Sequence, residues 1–445
     1  MLKCAFRSRF FGKVSRYTLS IASARRHAIT SGHTNIRGLR WKIMNSFHTH
    51  QAGIARRPRG EPSNHEELLS RFEIARRNHM GYPYNLAFSP KNLSKFNGYL
   101  INNLGDPYVG SHYATEVCDL EMDIINWAQK VWQCPPDEDF WGSVVASGTE
   151  GNLWAIYLGR EALHDAALIC SRDAHYSIPK AARIMGIECV TCDSNETGEI
   201  CLMDLQKKVA SLAGRGLIIA LTCGTTMRGA HDDILGCLEV LEQAGVSRNR
   251  RYLHVDGALN GMVIPFLENV ESGIIPSFKH EIDSISASGH KMIGTPMPCG
   301  ILVARRNHVN RIASSISYLR SNDTTLMGSR NGHASIAIWE RIVELGEDGF
   351  QRETQACLAR ATRLAQRLRQ MGVPVLQNKH SLTLVFPKPN DDIVKMYQLA
   401  CDGELAHAIV MPNVNDELIN RFIHDYEFDF SARRSRPGIA AELVE

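Results

Sequence analysis

Short apolar runs alternate with helical patterns between residues 116 and 345. The apolar runs predict strands that end near Ala146, Ser171, Val190, Thr222, Val255 and Ala287, with a further strand over Ile301–Ala304. A helix is predicted after the first strand, because Leu153, Ile156 and Tyr157 recur at helical spacing behind a small-residue turn. Strands that alternate with helices predict a mostly parallel sheet with helices on both faces, and therefore an α/β fold class.

The pattern changes on both sides of this region. Before it, Glu66–Met80 is helix-like, and after it a helix is predicted over Thr354–Met371. The remaining predicted elements are short strands over Val375–Gln377, Thr383–Phe386 and Ala408–Met411, and a final helix over Asp416–Tyr426. The predicted parts of the chain are therefore a basic leader (1–60), an N-terminal segment (61–115), a large domain (116–345) and a small α+β C-terminal domain (346–445).

Charge is distributed unevenly along the 445 residues. The net charge is +3, but residues 1–60 hold 13 Lys and Arg and no Asp or Glu, which leaves 37 basic and 47 acidic residues in the rest. The remainder is therefore acidic, and no basic patch argues for a nucleic-acid partner. No apolar run approaches the length of about 18–20 residues that a membrane span needs.

The leader has the composition of an organelle transit peptide, because it is rich in Arg and Ser and free of acidic residues. We expect cleavage or disorder to end near Pro58–Pro62. The expected location is mitochondrial, with a plastid as a further possibility, or cytoplasmic if the leader is only a disordered upstream extension.

The 12 cysteines are scattered and do not form the pattern of a disulfide scaffold. Cys189 and Cys192 form a CxxC pair, but no second pair follows at zinc-binding spacing. No metal site is predicted, and a reducing compartment suits this cysteine usage.

A lysine directly follows a histidine in the small-residue run Ser286–Gly300. A lysine at its ordinary pKa is protonated and is a poor nucleophile at pH 7. Lys291 ends a strand-like stretch, where burial can remove its proton and let it form a Schiff base with an aldehyde cofactor. A surface His-Lys pair in a loop is the alternative, and four other segments argue against it.

Two of these segments offer groups for a phosphate and for a ring nitrogen. Gly148 and Thr149 lie where a strand gives way to a helix, and the N–H groups of a helix N-terminus suit a phosphate. Asp256 ends another strand, at the sheet edge where ligands of open α/β sheets collect. A carboxylate there can keep a pyridine nitrogen protonated, which makes the ring an electron sink. An ordinary helix cap is the alternative for each segment.

The other two segments offer a ring and a hydroxyl. His175 follows a strand and can stack flat on an aromatic cofactor, although a lone histidine is more often structural. Thr225 follows an apolar strand that ends in hydroxyl-bearing residues, and its hydroxyl could reach a ring substituent.

Together these segments resemble the group II pyridoxal-phosphate-dependent amino acid decarboxylases. Within that group, the chain most resembles the branch of the bacterial histidine decarboxylases and the plant serine decarboxylases. The matching segments lie within roughly residues 80–425 and are Ile101–Pro107, Ser147–Asn152, Ser286–Gly300, Met327–His333 and Gln398–His407. The resemblance implies the aspartate aminotransferase-like fold (fold type I), pyridoxal 5'-phosphate as cofactor, and a homodimer with shared active sites.

The resemblance also implies roles for individual residues. The predicted cofactor-binding residues are Lys291, Asp256, His175, Ala258, Gly148, Thr149, Thr225, Ser288 and His290, of which Gly148, Thr149, Ser288 and His290 are the predicted phosphate ligands. His175 would also contact the substrate carboxylate. Tyr318 matches a mobile-loop tyrosine of related decarboxylases and is predicted to protonate Cα, with a packed loop tyrosine as the alternative. Arg330 and His333 would serve the subunit interface, the phosphate side or only the structure.

The predicted reaction is the decarboxylation of a small polar L-amino acid, either serine or histidine. Tyr84 and Asn103 are candidate substrate contacts, and the apolar Leu104 favours a small substrate over an imidazole. The alternatives are an aldehyde synthase, lyase or aminotransferase on the same fold, an aliphatic substrate such as valine, or a non-catalytic relative. Tyrosine rather than phenylalanine at position 318 favours simple decarboxylation over aldehyde formation.

Overall fold

The computed structural model describes residues 64–89, 92–317 and 321–434. The predicted leader lies outside these residues, and so does Tyr318, so that their assigned roles stay predictions. From His65 onward the described residues belong to one compact unit.

The strands predicted for the large domain are present in the described structure, together with short strands that were not predicted. The strands are β1 (Asn102–Leu104), β2 (Phe140–Val145), β3 (Ala167–Ser171), β4 (Cys189–Cys192), β5 (Leu217–Thr222), β6 (Arg251–Asp256), β7 (Ser284–Ser288), β8 (Gly300–Arg305), β9 (Ser314–Ile316), β10 (Ser321–Asp323), β11 (Ser329–Asn331), β12 (Thr383–Pro387), β13 (Ala400–Asp402) and β14 (Leu405–Ile409). The helices are α1 (His65–Asn78), α2 (Cys118–Val131), α3 (Gly148–Ala162), α4 (Ser177–Met185), α5 (Leu202–Ser211), α6 (Ile234–Gln243), α7 (Arg306–Val309), α8 (Gly332–Gln370), α9 (Asp391–Tyr397) and α10 (Asp416–Arg434).

Seven strands form the main sheet, in the order β2-β8-β7-β6-β5-β3-β4. Strands β3 to β7 pair in parallel, and β8 runs antiparallel to both β2 and β7. The predicted mostly parallel sheet is confirmed, and each predicted strand end lies within two residues of the observed one.

The central strands read as continuous apolar runs because both faces of the sheet are covered. All six residues of β5 are buried, as expected of a parallel strand between two layers of helices. Ile219 belongs to the same hydrophobic cluster as Ile124 of α2 and Leu205 of α5, whereas Ile218 belongs to a second cluster with Trp154 of α3. Successive side chains of one strand therefore serve two hydrophobic clusters.

The C-terminal part has a core of its own. Strands β12, β14 and β13 form a three-stranded antiparallel sheet, and a separate hydrophobic cluster joins it to α8 and α10. This cluster contains Phe386, Leu364 and Phe422. The domain boundaries predicted from the sequence stay predictions.

Several predicted elements in this part had wrong bounds. The helix predicted over Thr354–Met371 lies in the second half of α8, which is divided at Gly346, where the backbone is not helical and φ is 58°. The strand predicted over Val375–Gln377 is a single bridge between Leu376 and Val385. The final helix runs on to Arg434.

Candidate active site

The predicted site residues gather at the edge of the main sheet where its parallel strands end. The strands β3, β6 and β7 end there at Ser171, Asp256 and Ser288. The segments that follow them carry His175, Ala258 and Lys291, respectively. Parallel strands place their carboxyl ends together, which is where ligands of open α/β sheets bind.

Lys291 lies in a tight turn, Gly289–Ile293, that follows β7 directly, and its own backbone angles (φ −89°, ψ −119°) are not helical. The turn is closed by the N–H of Gly294, which donates to the carbonyl of Gly289 at 2.9 Å. Burial lowers the pKa of the Lys291 amine, and the nearby Asp256 carboxylate opposes this only in part. A larger fraction of the amine is therefore unprotonated at neutral pH than for a lysine in water, which makes it a better nucleophile.

Asp256 is the last residue of β6 and is 2% exposed. Its Oδ2 accepts a hydrogen bond from the Asn152 amide at 2.7 Å, and its Oδ1 accepts one from the main-chain N–H of Ala258 at 3.0 Å. The two bonds fix the orientation of the carboxylate at the sheet edge. A carboxylate held in this way can keep a proton on a cofactor ring nitrogen.

His175 lies between the end of β3 at Ser171 and the start of α4 at Ser177. Its Nδ1 accepts from the N–H of Ser177 at 3.3 Å and lies 2.8 Å from the Ser177 hydroxyl. The pKa of His175 is lowered, mainly because the ring is buried. The Asp256 carboxylate opposes this shift, and the positive charge of Lys291 adds to it. The structure therefore brings His175, Asp256 and Lys291 within electrostatic reach of one another.

Gly148 and Ser288 form a narrow cradle at the N-terminus of α3. Ser147 caps this helix by accepting the N–H of Glu150 at 3.2 Å, and the other N–H groups of a first helical turn have no partner within the helix. A Cβ on Gly148 would lie 2.4 Å from the Ser288 hydroxyl and 3.5 Å from Cβ of Ala258. The cradle thus combines a helix N-terminus with the Ser288 hydroxyl, and the missing side chain of Gly148 leaves space between them. This arrangement suits a phosphate.

Tyr84 borders the lysine turn beside His290, which is part of that turn. The two rings are 6.1 Å apart, and Tyr84 also stacks on His79 at 5.2 Å. The side chain of Asn85 donates to the carbonyl of Met292 at 3.0 Å, which attaches the N-terminal segment to the turn. Nδ1 of His290 faces the main chain of Cys299, 3.3 Å from its carbonyl oxygen. Tyr84 is therefore placed where a substrate contact is possible.

Thr225 serves a turn in the described structure. Its hydroxyl oxygen accepts the N–H of Ala230 at 3.0 Å, and its carbonyl accepts the N–H of Gly229 at 2.7 Å. Thr225 is 2% exposed. Its predicted contact with the cofactor stays a prediction.

The structure does not bring Asn103 to the site. Asn103 is fully buried, donates to Glu121 at 2.8 Å and accepts the N–H of Val117 at 2.9 Å. Glu121 also forms a buried ion pair with Arg330, whose guanidinium donates to Ser143 at 3.0 Å as well. We therefore assign Asn103 and Arg330 to the framework that holds β1 against β11, rather than to substrate or phosphate contacts.

Sequence reasoning missed two buried residues behind the site, Asn152 and His254. Asn152 contacts Asp256, and Nε2 of His254 lies 2.9 Å from Oδ1 of Asn152. A signal for both was present in the sequence. Asn152 lies one helical turn after Gly148, and His254 lies two residues before Asp256 and therefore on the same face of β6.

A search for metal-binding clusters of His, Cys, Asp and Glu in the described ranges found none. Within the same ranges, no helix is long and apolar enough to span a membrane.

Comparison with known proteins identifies the class to which this fold and site belong. The family model described as the pyridoxal-dependent decarboxylase conserved domain matches residues 97–388. L-methionine decarboxylase from Streptomyces sp.590 has a similar fold, with a TM-score of 0.75 and 22% identity over 85% of this chain and 98% of that chain.

Two curated relatives are more similar in sequence. Serine decarboxylase 1 of Oryza sativa subsp. japonica is 42% identical over 350 residues, which cover 78% of this chain and 72% of that protein. A histidine decarboxylase of Acinetobacter baumannii (strain AYE) is 38% identical over 358 residues, which cover 80% and 92%. The chain belongs to the pyridoxal-dependent decarboxylase family. It is a carboxy-lyase of fold type I that uses pyridoxal 5'-phosphate.

Proposed function

We propose that this enzyme decarboxylates a small polar L-amino acid, and that L-serine is the preferred substrate, with ethanolamine and CO₂ as products. The assembly of Lys291, Asp256 and His175 at one buried edge of the sheet carries the proposed chemistry, and the 42% identity to a serine decarboxylase supports serine as the substrate. L-Histidine is the second candidate, because a histidine decarboxylase is 38% identical to this chain while a serine decarboxylase is 42% identical.

The residues present suit pyridoxal phosphate. Lys291 would hold the aldehyde carbon, the Gly148–Ser288 cradle would hold the phosphate, and Asp256 would hold the proton on the ring nitrogen. When bound, the cofactor supplies an electron sink for the carbon atom that loses CO₂. His175, kept neutral by burial, can pack against the ring without adding a second positive charge beside Lys291.

The substrate assignment can be tested by product analysis. The full-length protein, supplied with pyridoxal phosphate, would be offered each of the 20 amino acids, and CO₂ and amine would be measured together, with Lys291→Ala as the blank. Ethanolamine supports the proposal, and histamine supports the second candidate. An aldehyde or a keto acid in place of the amine, or no CO₂ from any amino acid, would refute decarboxylation of these substrates.

We propose Tyr318 as the acid that protonates Cα after CO₂ leaves. The strands β9 and β10, which precede and follow it in the chain, pair with each other. Because a positioned acid contributes about 10²–10⁴ in rate, Tyr318→Phe should lower the rate of amine formation by at least about 100-fold, while the cofactor still binds. Rapid-quench measurement of amine and aldehyde would check this, and an unchanged rate with amine as sole product would contradict it.

We also propose that the enzyme is a homodimer. No residue of α1 is buried, and Leu69, Phe72 and Ile74 of this helix are each at least half exposed. A second copy of the chain would cover these side chains. Light scattering after size exclusion would test this, with Phe72→Glu expected to weaken the dimer; a monomeric wild-type protein would refute it.

A further inference from the structure

A row of polar side chains is buried beneath the site, on the face of the sheet that α3 covers. Tyr252, His254 and Asp256 alternate along β6, and Ser284 and Ser286 of β7 pair in register with His254 and Asp256. All five are at most 2% exposed. Buried polar groups cost free energy unless each finds a partner, so this row requires a bonded arrangement.

Asn152 of α3 joins the row to the site. Its amide nitrogen donates to Asp256 at 2.7 Å and to the Ser177 hydroxyl at 2.9 Å. Its amide oxygen accepts from the Ser286 hydroxyl at 2.7 Å and lies 2.9 Å from Nε2 of His254. All four contacts agree with one orientation of the amide, because a carboxylate can only accept.

The direction of each remaining hydrogen bond follows from that orientation. Since the oxygen of Asn152 accepts, Nε2 of His254 must carry the hydrogen. Burial lowers the pKa of His254 to about 4, so that the ring is neutral and its Nδ1 accepts from the Ser284 hydroxyl at 3.0 Å. The hydroxyl of Tyr252 in turn donates to Ser284 at 2.9 Å.

The second N–H of Asn152 acts on His175 through Ser177. The Ser177 oxygen accepts from Asn152, which leaves the Ser177 hydroxyl hydrogen to donate to Nδ1 of His175 at 2.8 Å. The main-chain N–H of Ser177 donates to the same nitrogen, so that Nδ1 of His175 is an acceptor. A neutral His175 therefore carries its hydrogen on Nε2.

We propose that Asn152 is a positioning residue whose amide, oriented by His254 and Ser286, sets the carboxylate of Asp256 and the tautomer of His175 together. If the amide turned over, its oxygen would face the Asp256 carboxylate and lose that contact. It would accept from Ser177 only by taking the hydroxyl hydrogen away from Nδ1 of His175. His254 and Ser286 prevent this by placing two donors against the oxygen. The inference deepens the proposed function, since it rests on the same cofactor site.

Three variants of the full-length protein separate positioning from mere packing. His254→Phe removes the donor that orients Asn152, and His254→Gln retains an N–H that can reach its oxygen. Tyr252→Phe is the matched control, because it removes a hydroxyl from the same buried row but leaves Ser284 able to donate to His254. Ser286→Ala removes the other donor to Asn152 with a smaller change of volume, and gives a second reading if His254→Phe does not fold.

The readouts are the dissociation constant of pyridoxal phosphate and the induced circular dichroism of the bound cofactor, measured beside the melting temperature. Without the His254 donor the Asn152 amide is no longer held in place, and the charged Asp256 loses a hydrogen bond. Such bonds are strong enough that His254→Phe should weaken cofactor binding about 10- to 100-fold and change the dichroism per bound cofactor. His254→Gln should recover most of the affinity, Ser286→Ala should show a smaller loss, and Tyr252→Phe should stay within about twofold of wild type.

The proposal is overturned if His254→Phe or Ser286→Ala lowers the melting temperature but leaves both cofactor readouts unchanged. It is also overturned if Tyr252→Phe weakens cofactor binding as much as His254→Phe does. These readouts do not need a substrate. If the wild-type protein decarboxylates no amino acid while the variants behave as expected, the proposed function fails and the positioning role stands.

Discussion

Replacement of Gly148 by alanine tests whether the Gly148–Ser288 cradle holds the cofactor phosphate. The new Cβ would lie 2.4 Å from the Ser288 hydroxyl, which is closer than two such atoms can approach. The hydroxyl can turn away, because it ends a short side chain at the end of β7. The neighbouring Cβ of Ala258, at 3.5 Å, would be in ordinary contact. The chain should therefore fold, but with the cradle filled and the Ser288 hydroxyl displaced.

The expected size of the effect follows from the bonds that would be lost. A hydrogen bond to a charged group contributes about 1.5–3 kcal/mol, and each 1.4 kcal/mol corresponds to about tenfold in a dissociation constant. Gly148→Ala should therefore weaken pyridoxal phosphate binding about 10- to 100-fold. Overpacking costs about 1–3 kcal/mol where neighbours cannot move, so the unloaded protein should lose less than this.

Cofactor affinity would be measured by absorbance titration of the unloaded protein, and stability by thermal melting. In the double variant Gly148→Ala/Ser288→Ala, the close contact is gone, so stability should recover while cofactor binding stays weak. Gly98→Ala is the control, because nothing lies within 4 Å of a Cβ at that position. Cofactor affinity within twofold of wild type for Gly148→Ala would refute the assignment of the cradle to the phosphate.

Two further predictions concern stability. Arg330→Met should destabilise the fold by about 3–5 kcal/mol, because it leaves the fully buried Glu121 without its cation. Denaturant unfolding would measure this loss, and adding Glu121→Gln should restore most of the stability. An Arg330→Met variant as stable as wild type would contradict the prediction. Burial lowers the pKa of His231 to about 4 from the ordinary 6.5, so stability present at neutral pH should be lost as the pH falls from 6.5 towards 4. At pH 5 this loss is about 2 kcal/mol for His231, and His231→Gln should flatten that part of the stability profile; an unchanged slope would exclude the contribution.

The main sheet and the principal site residues were predictable because they depend on local pattern. A parallel strand that is covered on both faces needs a continuous apolar run, so the strands could be located from hydrophobicity alone. The polar residue that ends such a run lies at the edge where ligands bind, which singled out Asp256 and the segment that contains Lys291. The C-terminal part was less predictable: α8 is broken at Gly346, where the backbone is not helical, and the predicted helix began only at Thr354.

The partners of polar side chains were decided only by the tertiary structure. Asn103 is a reasonable substrate contact in sequence, but β1 pairs with β11, more than 200 residues away, and buries it against Glu121. Asn152 and Asp256 are 104 residues apart, and their contact exists because α3 packs across β6 and β7. The amino-acid sequence by itself determined the class of fold and singled out the candidate lysine and the acid at the strand end, because periodicity and residue type act locally. Tertiary packing decided which polar groups form hydrogen bonds with each other, because these bonds depend on positions in space that no local sequence pattern encodes.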